Sequence, residues 1–60
     1  MTLEDCKIGD YVSIWCIGIS RWDNEIVKII DNFGILVKVE YKNGRTSDFF
    51  ANTKCKKINF

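Results

Sequence analysis

The residues of this chain that could do chemistry are three cysteines and eight carboxylates. Cys6, Cys16 and Cys55 are too far apart to form a CxxC pair, and the sequence contains no histidine. Three thiols without a histidine rarely complete a zinc site, so we expect no metal and no cofactor. Free thiols in a reducing compartment are the simplest interpretation, and a disulfide between Cys6 and Cys55 is the alternative.

The sequence does not indicate catalysis. A nucleophilic cysteine needs a neighbouring base, and none is evident beside any of the thiols. No glycine-rich phosphate loop is present. Asp23 and Glu25 would share one face of a strand, but an isolated carboxylate pair is weak evidence for an active site. We therefore predict that the protein is not an enzyme.

Length and composition predict one small globular domain over residues 1–60. The chain is 47% hydrophobic and 28% charged, with a net charge of +1. This near balance gives no overall attraction to nucleic acid or to an anionic membrane. The acidic start Met1–Asp5 does not resemble a signal peptide, and the longest apolar run, Ile14–Ile19, is too short to cross a bilayer. We expect a whole, soluble, cytoplasmic protein.

The elements that must position any functional residue are predicted to be strands, because short apolar stretches alternate with turn signals. A helix over Glu25–Asp31 is disfavoured by its β-branched residues. Asn43-Gly44 predicts a type I′ hairpin turn. The predicted strands are Tyr11–Ile17, Trp22–Asp31, Ile35–Tyr41, Thr46–Ala51 and Cys55–Phe60, separated by turns at 18–21, 31–34 and 42–45 and a 3₁₀ turn at 52–54.

Side-chain alternation along these strands predicts which residues form the core. Phe49 and Phe50 are adjacent, so one of them should be buried and the other exposed. The predicted core also contains Val12, Ile14, Val27, Ile29, Val37, Val39 and Ile58.

The chain resembles Tudor domains in the order of its features. Lys7–Asp10 contains the Gly-Asp that opens such domains, Trp22 follows a short loop, Tyr41 ends the third strand, and an Asn-Gly turn precedes Arg45. Tudor, KOW and related barrels share this order over a segment similar to residues 6–58. The resemblance implies an all-β fold, a five-stranded SH3-like (Tudor-like) barrel.

In Tudor domains that bind methylated lysine or arginine, several aromatic rings surround the cation. The resemblance places Trp22 and Tyr41 at cage positions and Asn43 at a supporting polar position. The position of the first cage aromatic is occupied by Cys16, and Trp15 precedes it by one residue.

The leading functional hypothesis is a small binding module that engages a protein or peptide through an aromatic surface. Its candidate residues are Trp15, Trp22, Tyr41, Asn43 and Phe49. Structural roles remain open: Trp22 could cover an end of the barrel, Trp15 could belong to a minor core under the 18–21 loop, and Tyr41 is in phase with the buried residues of its strand. Small free-standing chains of this kind include phage-encoded inhibitors and accessory subunits.

Nucleic-acid binding is the alternative hypothesis. KOW-like barrels and the DNA-binding barrel of retroviral integrases hold phosphates with basic strips. The corresponding strip here is Arg45, Lys54, Lys56 and Lys57. An ordinary solvated strand edge, protected from pairing by its lysines, explains these residues more simply.

Self-association is also expected, because so short a chain cannot bury all of its apolar side chains. Those without an evident burial site are Tyr11, Trp15, Ile17, Ile26, Ile30, Leu36 and Phe60. We predict a homo-oligomer with Tyr11, Trp15 and Ile17 in its interface.

Overall fold

A computed structural model describes residues 1–59 and shows an all-β protein. One antiparallel sheet contains five strands in the order β4-β3-β2-β1-β5. Two short 3₁₀ turns, Leu3–Asp5 and Ile17–Ile19, complete the regular structure. The strands are β1 (Tyr11–Cys16), β2 (Arg21–Asn32), β3 (Leu36–Glu40), β4 (Thr46–Phe50) and β5 (Cys55–Lys57).

The predicted strands are confirmed in number and order, and their ends differ by a few residues. Ile17 leaves β1 and begins the 3₁₀ turn that leads into β2. Tyr41 follows β3 instead of ending it, and β5 stops at Lys57. Residues 52–54 form no 3₁₀ helix. The chain between β4 and β5 instead makes one turn, in which Thr53 N bonds to Phe50 O. The predicted extension of β5 to Phe60 reaches a residue outside the described part of the chain.

The hairpin between β3 and β4 uses a different turn from the predicted type I′. A type I′ turn requires positive φ at both central residues, and Ser20 is the one non-glycine residue with positive φ in the described chain. Gly44 alone takes positive φ here, at 88°, and its N–H bonds to Tyr41 O at 2.9 Å. Because Asn43 keeps a negative φ, the loop is a three-residue turn that ends in a glycine bulge.

Two irregularities bend β2. Opposite β1, the register moves from the pair Ser13–Ile26 to the pair Trp15–Trp22, so residues 23–25 face a single β1 residue. Opposite β3, the register shifts between Ile29 and Asp31, which leaves one extra residue in β2. Extra residues of this kind increase the local twist and bend of a strand. They allow the long strand β2 to bend and to pair with both β1 and β3 in one curved sheet.

The sheet is curved but open. The protein measures 26 × 23 × 21 Å along its principal axes, which a flat sheet could not fill. Within the described residues β4 and β5 are the two edges, and no ladder joins them. The N-terminal segment lies beside the chain that connects these strands, with a bridge between Thr2 and Lys54. Leu3 N bonds to Thr53 O at 3.0 Å, and Glu4 N bonds to Ala51 O at 2.9 Å.

The core confirms most of the predicted set and adds residues that the strand pattern did not indicate. The prediction that Ile58 belongs to the core is wrong: this side chain is only half-buried, because β5 ends before it. Phe49 packs against the core while Phe50 is 65% exposed, which resolves the choice between them. The buried set is Leu3, Cys6, Val12, Ile14, Val27, Ile29, Val37, Val39, Ala51 and Cys55.

The burial of Leu3 yields a test of the N-terminal segment. Leu3 is 0% exposed, so Leu3→Ala should leave a cavity and lower the free energy of unfolding by about 2–5 kcal/mol. Because the stability of a domain this small rarely exceeds about 3–5 kcal/mol, we expect much of the variant to be unfolded at 25 °C. Urea denaturation followed by tryptophan fluorescence measures the change. The control Ile35→Ala, at a side chain that is 74% exposed, should stay within about 0.5 kcal/mol of the parent. Equal losses in both variants would contradict this role for the N-terminal segment.

Candidate binding site

Two tryptophans form a pair on the face of the sheet opposite the core. Trp15 and Trp22 are direct partners in the β1–β2 ladder, and their ring centroids lie 5.1 Å apart in an edge-to-face arrangement at 76°. Val12 and Ile14 point into the core, so alternation turns Trp15 outward. Both indoles are half-buried. Such a pair presents a large, rigid apolar surface.

The bulge in β2 brings the two indoles together. If the Ser13–Ile26 register continued without a shift, Trp22 would lie opposite Ile17 instead of Trp15. Side-chain hydrogen bonds hold the bulge: Ser13 Oγ donates to Asp23 O at 3.1 Å, and Glu25 N donates to Asp23 Oδ1 at 3.0 Å. Ser13 is only 4% exposed, so its hydroxyl finds its hydrogen-bond partner inside the protein through this contact.

Two lysines from β5 and its approach lie on the tryptophans. Lys54 Nζ is 5.0 Å from the centroid of the Trp15 ring and 5.9 Å from that of Trp22. Lys56 Nζ is 4.9 Å from the centroid of Trp22. Both ammonium groups are therefore within cation–π range, an attraction worth about 0.5–1 kcal/mol at exposed positions. Cys55 lies between the two lysines and is buried, so both lysines point to the opposite, outer face of the strand.

The tip of the β1–β2 hairpin, which follows Trp15 by two residues along the chain, exposes two aliphatic side chains. Ile17 is 82% exposed and Ile19 is 59% exposed. Ser20 ends the turn in the left-handed conformation at φ 50° and donates its N–H to Ile17 O at 3.2 Å. We call the surface formed by Trp15, Ile17, Ile19, Trp22, Lys54 and Lys56 the tryptophan face.

The other residues predicted for the aromatic surface lie elsewhere. Tyr41 packs against the core and lines a groove together with Tyr11 and Ile26. Arg45 stacks on the Tyr41 ring at 5.0 Å. Asn43 Oδ1 accepts the Arg45 N–H at 3.0 Å, so its amide supports the hairpin turn.

The groove beside Tyr41 has charged walls of both signs. Its volume is about 680 Å³, and it runs between the outer surface of β2 and the start of the β3–β4 hairpin. Its charged residues balance one another, with two acidic and two basic side chains. The lining is completed by Asn24, Glu25, Lys28, Glu40 and Lys42.

The predicted basic strip divides into three places. Lys54 and Lys56 belong to the tryptophan face. Lys57 Nζ lies 3.7 Å from Asp10 Oδ1. Arg45 precedes β4, at the opposite edge of the sheet from β5. A continuous run of four cations along one edge is therefore not present.

Two thiols lie on the inner side of the strand that carries the lysines. Cys6 and Cys55 are buried, and their Sγ atoms are 3.8 Å apart. Burial and the neighbouring Cys6 thiol raise the pKa of Cys55 to about 12. All three cysteines are free thiols.

Residues 1–59 contain no group of three or more His, Cys, Asp or Glu side chains that could hold a metal ion, and no helix among them has the length and hydrophobicity to cross a bilayer. Comparison with protein families, with curated proteins and with solved structures finds no match to this chain.

Sequence reasoning identifies both tryptophans and both lysines but places them in separate hypotheses. Their association depends on the pairing of β5 with β1, in which Ser13 lies opposite Lys56. The sequence does carry one signal of it, since Lys54 and Lys56 flank an apolar residue and must share one strand face.

The raised pKa of Cys55 predicts a loss of stability at alkaline pH. In the unfolded chain this thiol ionises near its ordinary pKa of 9.0, whereas in the folded protein it stays protonated up to about 12. The unfolded state binds fewer protons between these values, so the free energy of unfolding falls as pH rises, by up to about 1 kcal/mol per pH unit.

Urea unfolding at a series of pH values above 8, compared between the parent and Cys55→Ala, isolates this contribution because the two proteins differ only at this residue. The variant should show the shallower decline above about pH 9. Parallel pH profiles would show that Cys55 is not responsible.

Proposed function

We propose that the protein is a non-catalytic binding module whose tryptophan face engages a protein segment that is both apolar and acidic. The observation that carries this proposal is the Trp15–Trp22 pair with Lys54 and Lys56 lying on its rings. No cofactor is required for such binding.

The apolar half of the proposal follows from what the face exposes. Tryptophan supplies rigid contact area at a small entropic cost, and it is enriched among the residues that dominate binding energy. Ile17, at 82% exposed, extends this area at the hairpin tip. An aliphatic or aromatic side chain of the partner would pack between the tip and the indoles.

The proposal that the partner segment is acidic follows from the positive charges of Lys54 and Lys56. The salt bridge found in the described residues uses Lys57, so the ammonium groups of Lys54 and Lys56 contact rings and not carboxylates. A partner carboxylate can approach them without displacing an internal ion pair. Charge complementarity of this kind raises association rates and selects among partners.

We further propose that the open sheet is a variant of the SH3-like (Tudor-like) barrel. The strand order, the bent β2 and the short connection before β5 support this relationship. Such barrels carry many different functions, so the fold does not by itself define the partner. A module of this size would act as an inhibitor or accessory protein, in the manner of phage-encoded inhibitors.

Nucleic-acid binding is the second candidate. It is favoured by one observation, the position of Lys54 and Lys56 beside indole rings, because single-stranded binders combine cations with stacking surfaces. The separation of Arg45 from these lysines and the pairing of Lys57 with Asp10 weaken it.

Homo-oligomerisation through Tyr11, Trp15 and Ile17 remains a third proposal. Tyr11 is 40% exposed and Ile17 is 82% exposed, while Trp15 lies half-buried between the lysine and its tryptophan partner. A second copy would bring Asp or Glu side chains from elsewhere on its surface to the lysines.

Photo-crosslinking tests the proposal and captures the partner in the same experiment. A benzophenone amino acid replaces Ile17, and the matched control replaces Ile35, which is 74% exposed beside the β2–β3 turn, at the opposite end of β2 from the hairpin tip. We expect one discrete adduct from position 17 and none from position 35. Peptide mapping should place the crosslink in an acidic segment of another protein. Lys54→Glu with Lys56→Glu should lower the yield about tenfold or more, because like charges then face each other.

The remaining outcomes separate the candidates. Equal adducts from both positions would contradict a specific role for the tryptophan face. Adducts between two copies of this chain would favour the oligomer, which sedimentation at micromolar concentration would confirm. For nucleic acid, anisotropy of a labelled oligothymidine should show binding that weakens steeply with salt and is lost in the double variant. Absence of binding at low salt would eliminate that candidate.

A further inference from the structure

The two buried thiols come from opposite ends of the chain. Cys6 follows the first 3₁₀ turn, Cys55 begins β5, and 49 positions of sequence separate them. Their Sγ atoms nevertheless lie 3.8 Å apart. A disulfide requires about 2.05 Å between the sulfurs, so less than about 2 Å of approach would join them.

The backbone already holds the two segments beside each other. Cys55 N bonds to Met1 O at 3.0 Å, and Leu3 N bonds to Thr53 O at 3.0 Å. Cys6 is held to the 3₁₀ turn Leu3–Asp5, because its N–H bonds to Leu3 O at 3.1 Å. The entropic cost of bringing distant cysteines together is therefore met by folding before any bond forms.

We propose that Cys6 and Cys55 are a redox modification site, at which a reversible disulfide fastens the N-terminal segment to β5. The oxidant is a low-molecular-weight disulfide such as oxidised glutathione. One thiolate of the pair attacks a sulfur of the oxidant, which breaks its S–S bond, forms a mixed disulfide and releases one small thiol. The second thiolate attacks the protein sulfur of that mixed disulfide and releases the other small thiol. Two protein thiols are oxidised, one small disulfide is reduced to two thiols, and the protein protons leave with them.

The geometry indicates which cysteine reacts first. Cys55 is 1% exposed, and its raised pKa keeps it protonated, whereas Cys6 is 7% exposed and lies at the end of the N-terminal segment. A transient opening of that segment, which also uncovers the core beneath Leu3, exposes Cys6 to the oxidant. Cys55 then acts as the resolving thiol, because return of the segment brings the Cys6 sulfur to its side. Once Cys6 is held in the mixed disulfide, one of the causes that raise the pKa of Cys55 is removed, so its thiolate forms more readily.

The disulfide would act on the strand that carries the two lysines of the tryptophan face. Cys55 stands between Lys54 and Lys56, so the bond fixes the backbone that positions both ammonium groups. It also closes a loop of nearly the whole chain, which restricts the unfolded state strongly. The oxidised protein should therefore be more stable and should hold its N-terminal segment permanently against the core.

The third thiol provides an internal control. Cys16 lies on the β1–β2 hairpin, where its Sγ is 4.0 Å from Ile14 O, and the described residues place no other thiol beside it. Its replacement should leave the redox behaviour of the pair unchanged.

The experiment equilibrates the full chain with oxidised glutathione and then measures mass, free thiols and thermal unfolding. We expect a monomer lighter by two hydrogen atoms, in which one thiol of the original three titrates after denaturation. Its unfolding midpoint should rise by about 10 °C or more, and dithiothreitol should reverse each change. Proteolytic mapping should recover the peptides of Cys6 and Cys55 joined. Cys16→Ser should behave as the parent does, and Cys6→Ser should show no rise.

Several results would overturn the proposal. They are three titratable thiols after equilibration, glutathione retained on Cys6 without release, a disulfide that contains Cys16, and a covalent dimer. Mapping of the parent protein needs no variant, so it decides the matter even if Cys6→Ser fails to fold.

Discussion

The pairing of the N-terminal segment with the chain around β5 is the contact on which the rest of the structure depends. An open sheet whose edges β4 and β5 do not meet would leave its core exposed to water at that side. Leu3, fully buried, and the backbone bonds from Leu3 and Glu4 to Thr53 and Ala51 cover the gap. Burial of apolar surface drives this closure, and the hydrogen bonds satisfy polar groups that would otherwise be buried alone. The same contact places the thiols of Cys6 and Cys55 side by side.

The tryptophan face depends in turn on an irregularity in β2. Three residues of β2 oppose one of β1, and this excess moves Trp22 along the hairpin until it meets Trp15. The β1–β5 pairing then brings Lys56 over the same surface. A cluster assembled from three strands in this way is held by the sheet, so the proposed binding surface is preorganised and binding to it would cost little entropy.

Most of the fold can be predicted from local pattern. Alternation identifies Val12 and Ile14 as buried, and the five apolar stretches correspond to the five strands along the chain. Leu3 escapes prediction because a single leucine before a turn has no periodicity to reveal it. The prediction for Ile58 is wrong because its burial depends on where β5 ends, and strand ends are the feature that a sequence pattern defines least.

The sequence by itself determined that this chain forms an all-β domain of five strands, since β-branched alternation and turn residues act over a few neighbouring positions. Only the tertiary structure decided which distant residues meet. It separated Tyr41 and Arg45 from the tryptophans, and it united Lys54 and Lys56 with them. The physical reason is that register shifts and edge pairing depend on the balance of the whole packed sheet, which no local stretch of residues encodes.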